Sequence, residues 1–87
     1  MRDIVPLLIK FYDVKSSDYF YDVNSYSNPF NVGDDINIDT YDNHVYSYYV
    51  PSKRMRCCKI MEIKKQINAA GQIYIYIGVN VIEESEN

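Results

Sequence analysis

Residues 73–81 read Ile73-Tyr74-Ile75-Tyr76-Ile77-Gly78-Val79-Asn80-Val81, and they establish what kind of body this chain has. One set of alternate positions, Ile73, Ile75, Ile77, Val79 and Val81, is entirely β-branched and apolar, while the other set, Tyr74, Tyr76, Gly78 and Asn80, is amphipathic or polar. Period-two patterning held over nine residues predicts a β-strand with one buried face. Such a strand needs partners, and the 87 residues leave room for a single domain over 1–87. A chain of this size buries only about 60–65% of the surface it exposes when unfolded, so each large apolar side chain matters.

Working outward, the loop Asn68-Ala69-Ala70-Gly71 suits a hairpin turn into this strand. Residues 52–67 before it can be read in two ways. As a helix, Ser52 would cap the start and Cys57, Ile60, Met61, Ile63 and Ile67 would share a broad face. As a strand, Met55, Cys57, Met61, Ile63 and Ile67 would share one face. A long terminal strand needs a long partner, which favours the strand. Near the other end, Val5, Leu7, Ile9 and Phe11 alternate with Pro6, Leu8, Lys10 and Tyr12. Because Pro6 lacks an N–H, a first strand is expected to start near Leu7. A short strand is expected within Tyr19–Val23, another from Ile36, where Ile36 and Ile38 point inward and Asn37 and Asp39 outward, and a further one over His44–Val50. Gly33-Asp34 and Asp42-Asn43 provide turns. The fold expected is therefore mainly β: a single small antiparallel sheet or SH3-like small β-barrel of about five strands, with one short helix within 52–67 as the variant. The acidic end, residues 83–87, is expected to fray.

The composition, 47% hydrophobic and 24% charged, is that of an ordinary globular domain and argues against disorder throughout. The apolar run Ile4–Ile9 is broken by Pro6 and falls far short of the roughly 20 residues of a membrane span, nor does it have the form of a secretory leader. Cys57 and Cys58 are adjacent, a poor geometry for a mutual disulfide, so a reducing, cytoplasmic setting with at least one of them a small buried hydrophobe is expected. Their neighbours Arg54, Arg56 and Lys59 would favour a thiolate, but no base lies nearby in sequence. The abundance of Ile, Asn, Tyr and Lys, all read from A- and T-rich codons, fits a low-GC bacterium or its phages.

Signatures of chemistry are mostly missing. The single histidine, His44, rules out a multi-histidine metal site, and the cysteines lack zinc-knuckle spacing. Asp34, Asp35, Asp39 and Asp42 have neither the mid-loop glycine nor the closing glutamate of a calcium loop. With three glycines in all, no phosphate-cradling loop can be assembled. No metal, no cofactor and no enzymatic activity are expected.

Two surfaces remain. Ten residues are tyrosine and none is tryptophan; tyrosine buries area while keeping a hydroxyl wet, and it is enriched at binding hot spots. Tyr46, Tyr48, Tyr74 and Tyr76 are candidates for an adhesive patch, with Tyr19, Tyr21 and Tyr26 on an adjoining loop and Asp34 and Asp35 in flanking acidic loops. The corresponding function is a non-catalytic protein-binding module, a small accessory or inhibitory protein of the kind phages and mobile elements encode to block a host complex. Charge offers the second surface. Residues 1–50 carry three basic side chains against eight aspartates, a net of −5, whereas residues 51–66 carry six basic side chains against one glutamate, a net of +5. Lys53, Arg54, Arg56, Lys59, Lys64 and Lys65 could track phosphates while tyrosines stack on unpaired bases, the alternative of a nucleic-acid-binding barrel. The same residues could instead neutralise neighbouring acidic strands. A homodimer, with the tyrosine face against a second copy, is the remaining arrangement considered.

Overall fold

Five strands make up the computed structural model, which describes residues 6–41 and 53–86: β1 (Leu7–Asp13), β2 (Tyr19–Ser25), β3 (Asp35–Tyr41), β4 (Lys53–Ile67) and β5 (Ile73–Glu86). They form one mixed sheet in the order β2-β1-β5-β4-β3. The expected strand over His44–Val50 lies outside the described residues.

The β4–β5 hairpin is its spine. Asn68 builds the turn: its Oδ1 accepts from the amides of Ala70 at 3.0 Å and Gln72 at 2.9 Å, and Gly71 takes a φ of 84°, which a side chain would resist. The two long strands carry their neighbours on different halves. β1 pairs with β5 over Tyr74–Val79, whereas β3 pairs with β4 over Lys53–Lys59. The β1–β5 pairing is parallel, while the other three are antiparallel; the all-antiparallel form of the expected sheet is corrected to a mixed one. The parallel pair is thereby flanked by β2 on one edge and β4 on the other.

Residues 53–67 carry no helix, and the strand they form is interrupted by a β-bulge. Ile60 pairs with Val79 and Glu62 with Gly78, leaving Met61 as the extra residue, half exposed. The side-chain parity flips there. Arg56, Cys58 and Ile60 face inward before the bulge, and Ile63, Lys65 and Ile67 share the inward register after it. The single face expected for Met55, Cys57, Met61, Ile63 and Ile67 is thus corrected. A second slip at Ile82 keeps Arg56 opposite Glu84. β5 continues through Glu86, so residues 83–86 of the expected frayed end are paired strand.

Ile9 and Phe11 of β1, Ile38 of β3, Cys58 and Ile60 of β4, and Ile75, Ile77 and Val79 of β5 form the core on the inner face. Full burial of each aliphatic side chain contributes about 1.5–3 kcal/mol. The sheet curls around this core into a half-barrel. In a flat sheet β2 and β4 would lie roughly 14 Å apart with their side chains side by side; here the Arg56 guanidinium is 4.9 Å from the Phe20 ring centroid. Arg56 also bonds Thr40 at 2.7 Å and Glu84 at 3.1 Å, so one side chain links β2, β3, β4 and β5. Phe30, from the β2–β3 connection, sets its ring edge-on to Phe11 at 5.3 Å. An apolar groove of about 320 Å³ follows the seam between β2 and β3, bordered by Tyr21, Val23, Ile36 and Ile38.

Candidate functional site

The outer face of the sheet gathers four tyrosines from three strands. Tyr74 and Tyr76 project from β5 with the parity opposite to the core, and the parallel pairing sets Lys10 beside Tyr76 and Tyr12 beside Gly78. Tyr19 reaches the same face through a slip in the β1–β2 ladder. Phe11 pairs with Tyr21 but Tyr12 pairs with Tyr19, so Phe20 becomes the extra residue and packs against the core. The rings form a continuous series, Tyr12–Tyr19 at 5.5 Å, Tyr19–Tyr76 at 6.1 Å and Tyr76–Tyr74 at 6.2 Å. All three separations are those of rings in direct contact.

Gly78 makes this packing feasible. A Cβ built there would lie 2.7 Å from the Tyr12 hydroxyl and 2.8 Å from Glu62 Cγ. Over the bare backbone the Tyr12 hydroxyl donates a hydrogen bond to Glu62 Oε1, joining β1 to β4 across β5. Burial, followed by that bond and the charge of Glu62, pushes the Tyr12 phenol up to about 12, so it is a neutral donor at physiological pH. Lys64 Nζ lies 3.9 Å from the same carboxylate oxygen, and Lys10 Nζ stands 6.0 Å from the Tyr19 ring centroid. Tyr12, Tyr19, Tyr76, Glu62, Lys64 and Gln66 border an open concavity of about 490 Å³.

Of the tyrosines singled out by sequence, Tyr74 and Tyr76 belong to this face, and Tyr46 and Tyr48 lie outside the described residues. Tyr19 is in a strand, not a loop, while Tyr21 lies in the inner register against Phe11. Tyr26 is exposed beyond β2. Asp34 is a turn-former whose carboxylate accepts the Asn31 amide at 2.9 Å and whose carbonyl accepts the Ile60 amide at 2.9 Å. Asp35 opens β3 opposite Lys59.

The basic residues do not share a face. Lys53 and Arg54 pair through their backbones with Tyr41 and Thr40. Arg56 points inward to its partners, Lys65 has the inward register opposite Ile75, and Lys59 has the outward register opposite Asn80. Among the described side chains of the named stripe, Lys64 borders the tyrosines. Cys58 is buried, which raises its thiol to about 11 even with Arg56 pulling it down, so it is not a thiolate at neutral pH.

Tyr12, Lys10, Glu62 and Gln66 were not picked out by the sequence reading. The alternation of residues 7–13 placed Lys10 and Tyr12 opposite the core side chains, but their neighbours depend on the β1–β5 pairing between the chain's two ends. The arrangement offers ring faces, hydroxyls and balanced charges on a pleated platform, the makings of a contact surface. Comparison with protein-family models, with curated proteins and with solved structures gives no match.

Proposed function

We propose that the protein is a non-catalytic binding module that engages a protein partner through its outer tyrosine face, acting as a small accessory or inhibitory protein. The observation that carries this reading is the convergence of Tyr12, Tyr19, Tyr74 and Tyr76 into one ring series. Tyr19 is 57% exposed, an arrangement that serves a partner better than it serves the chain's own core. Rigid aromatic side chains lose little conformational entropy when a partner covers them, which is why they dominate binding energetics. Lys10 and Lys64 stand against Glu62 and the Asp22 that pairs with Lys10, so contact here is governed by ring area more than by long-range attraction.

The nucleic-acid alternative has less support. Its basic residues are divided between two faces, the chain carries a net charge of −3, and tracking phosphates requires a continuous basic path. The test is affinity capture from a lysate of the encoding organism, using the wild type and a Tyr19→Ser/Tyr76→Ser variant shown to melt at the same temperature. A protein retained by the first and lost by the second is expected. Salt-sensitive binding of single strands by the wild type, whether or not the tyrosine variant keeps it, would overturn the reading, and self-association lost in the variant would identify the partner as a second copy.

A further inference from the structure

We propose that the seam between β2 and β3 receives one extended segment of a protein partner, in which lysine or arginine alternates with β-branched apolar residues, and that this segment adds to the free edge of β3. The seam is lined by none of Tyr12, Tyr19, Tyr74 and Tyr76, so it is a second surface and stands whether or not the outer tyrosines dock a partner.

Topology supplies the opening. β2 and β3 are the two ends of the sheet order. Among the described residues each is therefore hydrogen-bonded on one side only, and the alternate N–H and C=O groups on its other side have no strand to meet. The curl that brings Arg56 to Phe20 turns these two ends toward each other without pairing them, and the groove of about 320 Å³ lies where they fail to meet. Its two walls differ. β2 contributes Tyr21 and Val23, which share the inward register, whereas β3 contributes four successive residues, Ile36 to Asp39. Successive strand residues point to opposite faces, so on that side the groove is bordered by the edge of β3 and not merely by its inner face.

What flanks this edge selects the occupant. On the inner side Val23, Phe30 and Ile36 pack against the core yet are only half-buried, and Tyr21 is 39% exposed. β-Branched side chains on the inner face of an entering strand would finish covering them. On the outer side β3 carries Asp35, Asn37 and Asp39, whose side chains would stand next to those of the entering strand. Asp35 has Lys59 opposite it in β4, while Asp39 has Met55. Lysine or arginine at the outward positions therefore completes cross-strand pairs of opposite charge. The same aspartates turn away a second copy: antiparallel self-pairing of β3 about Asn37 would set Asp35 against Asp39 at both ends, and like charges directly opposite are destabilising. Strand addition of this kind draws its affinity from main-chain hydrogen bonds and its specificity from alternate side chains.

The test is an NMR titration of the full chain with a blocked peptide of alternating lysine and valine, matched in length to the 7 residues of β3. Saturable amide shifts in β3, methyl shifts of Val23, Ile36 and Ile38, and slowed hydrogen exchange of alternate β3 amides are expected. A peptide with glutamate in place of lysine should bind about tenfold more weakly. Of two lysine peptides N-methylated at every lysine or at every valine, at least one should lose binding, because one alternate set of N–H groups must face β3. The Asp35→Asn/Asp39→Asn variant, altered at two exposed positions, should melt as the wild type does and bind the lysine peptide about tenfold more weakly, whereas Tyr19→Ser/Tyr76→Ser should bind it as the wild type does. Equal binding of the lysine and glutamate peptides, retained binding by both methylated peptides, shifts centred on the outer tyrosines, or no saturable binding would overturn the proposal. So would β3 amides already protected in the free monomer, which would give the edge to the chain itself, or protection that grows with protein concentration, which would give it to a second copy.

Discussion

Gly78→Ala should destabilise this protein, even though replacing a strand glycine by alanine ordinarily stabilises by about 0.5–1 kcal/mol. The new methyl group would lie 2.7 Å from the Tyr12 hydroxyl, 2.8 Å from Tyr12 Cζ and 2.8 Å from Glu62 Cγ, all closer than carbon and oxygen tolerate. Relief requires the phenol ring and the glutamate to swing outward together, because they cross Gly78 while bonded to each other. Overpacking of this kind costs about 1–3 kcal/mol. The lost bond to a charged acceptor adds less than its buried value of about 1.5–3 kcal/mol, since both partners are half-buried. Set against the conformational gain, the net effect is a loss of about 1–2 kcal/mol, or roughly 4–15 °C in melting temperature for a domain of this size. Thermal unfolding followed by circular dichroism measures it. Spectrophotometric titration should show the Tyr12 phenol falling from about 12 toward its ordinary 10.0 as burial and the Glu62 contact are lost. The sharpest check is a sign reversal: in a Tyr12→Ala background the obstruction is gone, and Gly78→Ala should become neutral or stabilising. A stabilising Gly78→Ala in the wild type, or no coupling to Tyr12, would refute the reasoning.

Three further outcomes are expected. Ile77→Ala empties a fully buried position at the centre of the core and should cost about 2–5 kcal/mol in urea unfolding; a loss below about 1 kcal/mol would place the core elsewhere. Arg56→Met removes the bonds to Glu84 and Thr40 and the cation over Phe20, for a loss of about 1–3 kcal/mol by the same assay; an unchanged midpoint would mean that the sheet curls without this link. At alkaline pH, the Tyr12 phenol has a folded value of about 12 against 10.0 unfolded, and the Cys58 thiol about 11 against 9.0. Both raised values favour the neutral form in the fold, so their contributions are complete below the unfolded values and are lost as pH rises through 9–12. Tyr12→Phe should remove the part of that loss between 10 and 12, and identical pH profiles for variant and wild type would count against the assignment.

Strand identity was largely legible from residue patterning. Leu7, Ile9 and Phe11, then Ile36 and Ile38, then the row from Ile73 to Val81, each alternate with polar or amphipathic residues, and each row lies in a strand with the expected face inward. The ambiguity over 52–67 has a physical origin in the bulge at Met61. Skipping one residue converts a period-two series into apolar positions 58, 60, 63 and 67, a spacing that resembles a helix. A bulge depends on the neighbouring strand, here on Gly78 and Val79, and nothing within β4 announces it.

The candidate site was legible only at Tyr74 and Tyr76, which sit two apart on one strand and so share a face on local grounds. Tyr12 and Tyr19 join them through a parallel pairing between the two ends of the chain and a slip in the β1–β2 ladder. The basic residues show the opposite case, since a contiguous charge run is split between two faces by pleat and bulge. Amino-acid order by itself determined that this chain is pleated, which side of most strands is buried, and that tyrosine would have to occupy the half-wet positions, because side-chain alternation and burial are properties of neighbouring residues. Which tyrosines meet, that Arg56 turns inward while Lys64 stands beside the rings, and that Gly78 leaves room for Tyr12 to reach Glu62 were decided only by the tertiary structure, because those contacts depend on strand order and register, which are set by the packing of the whole sheet.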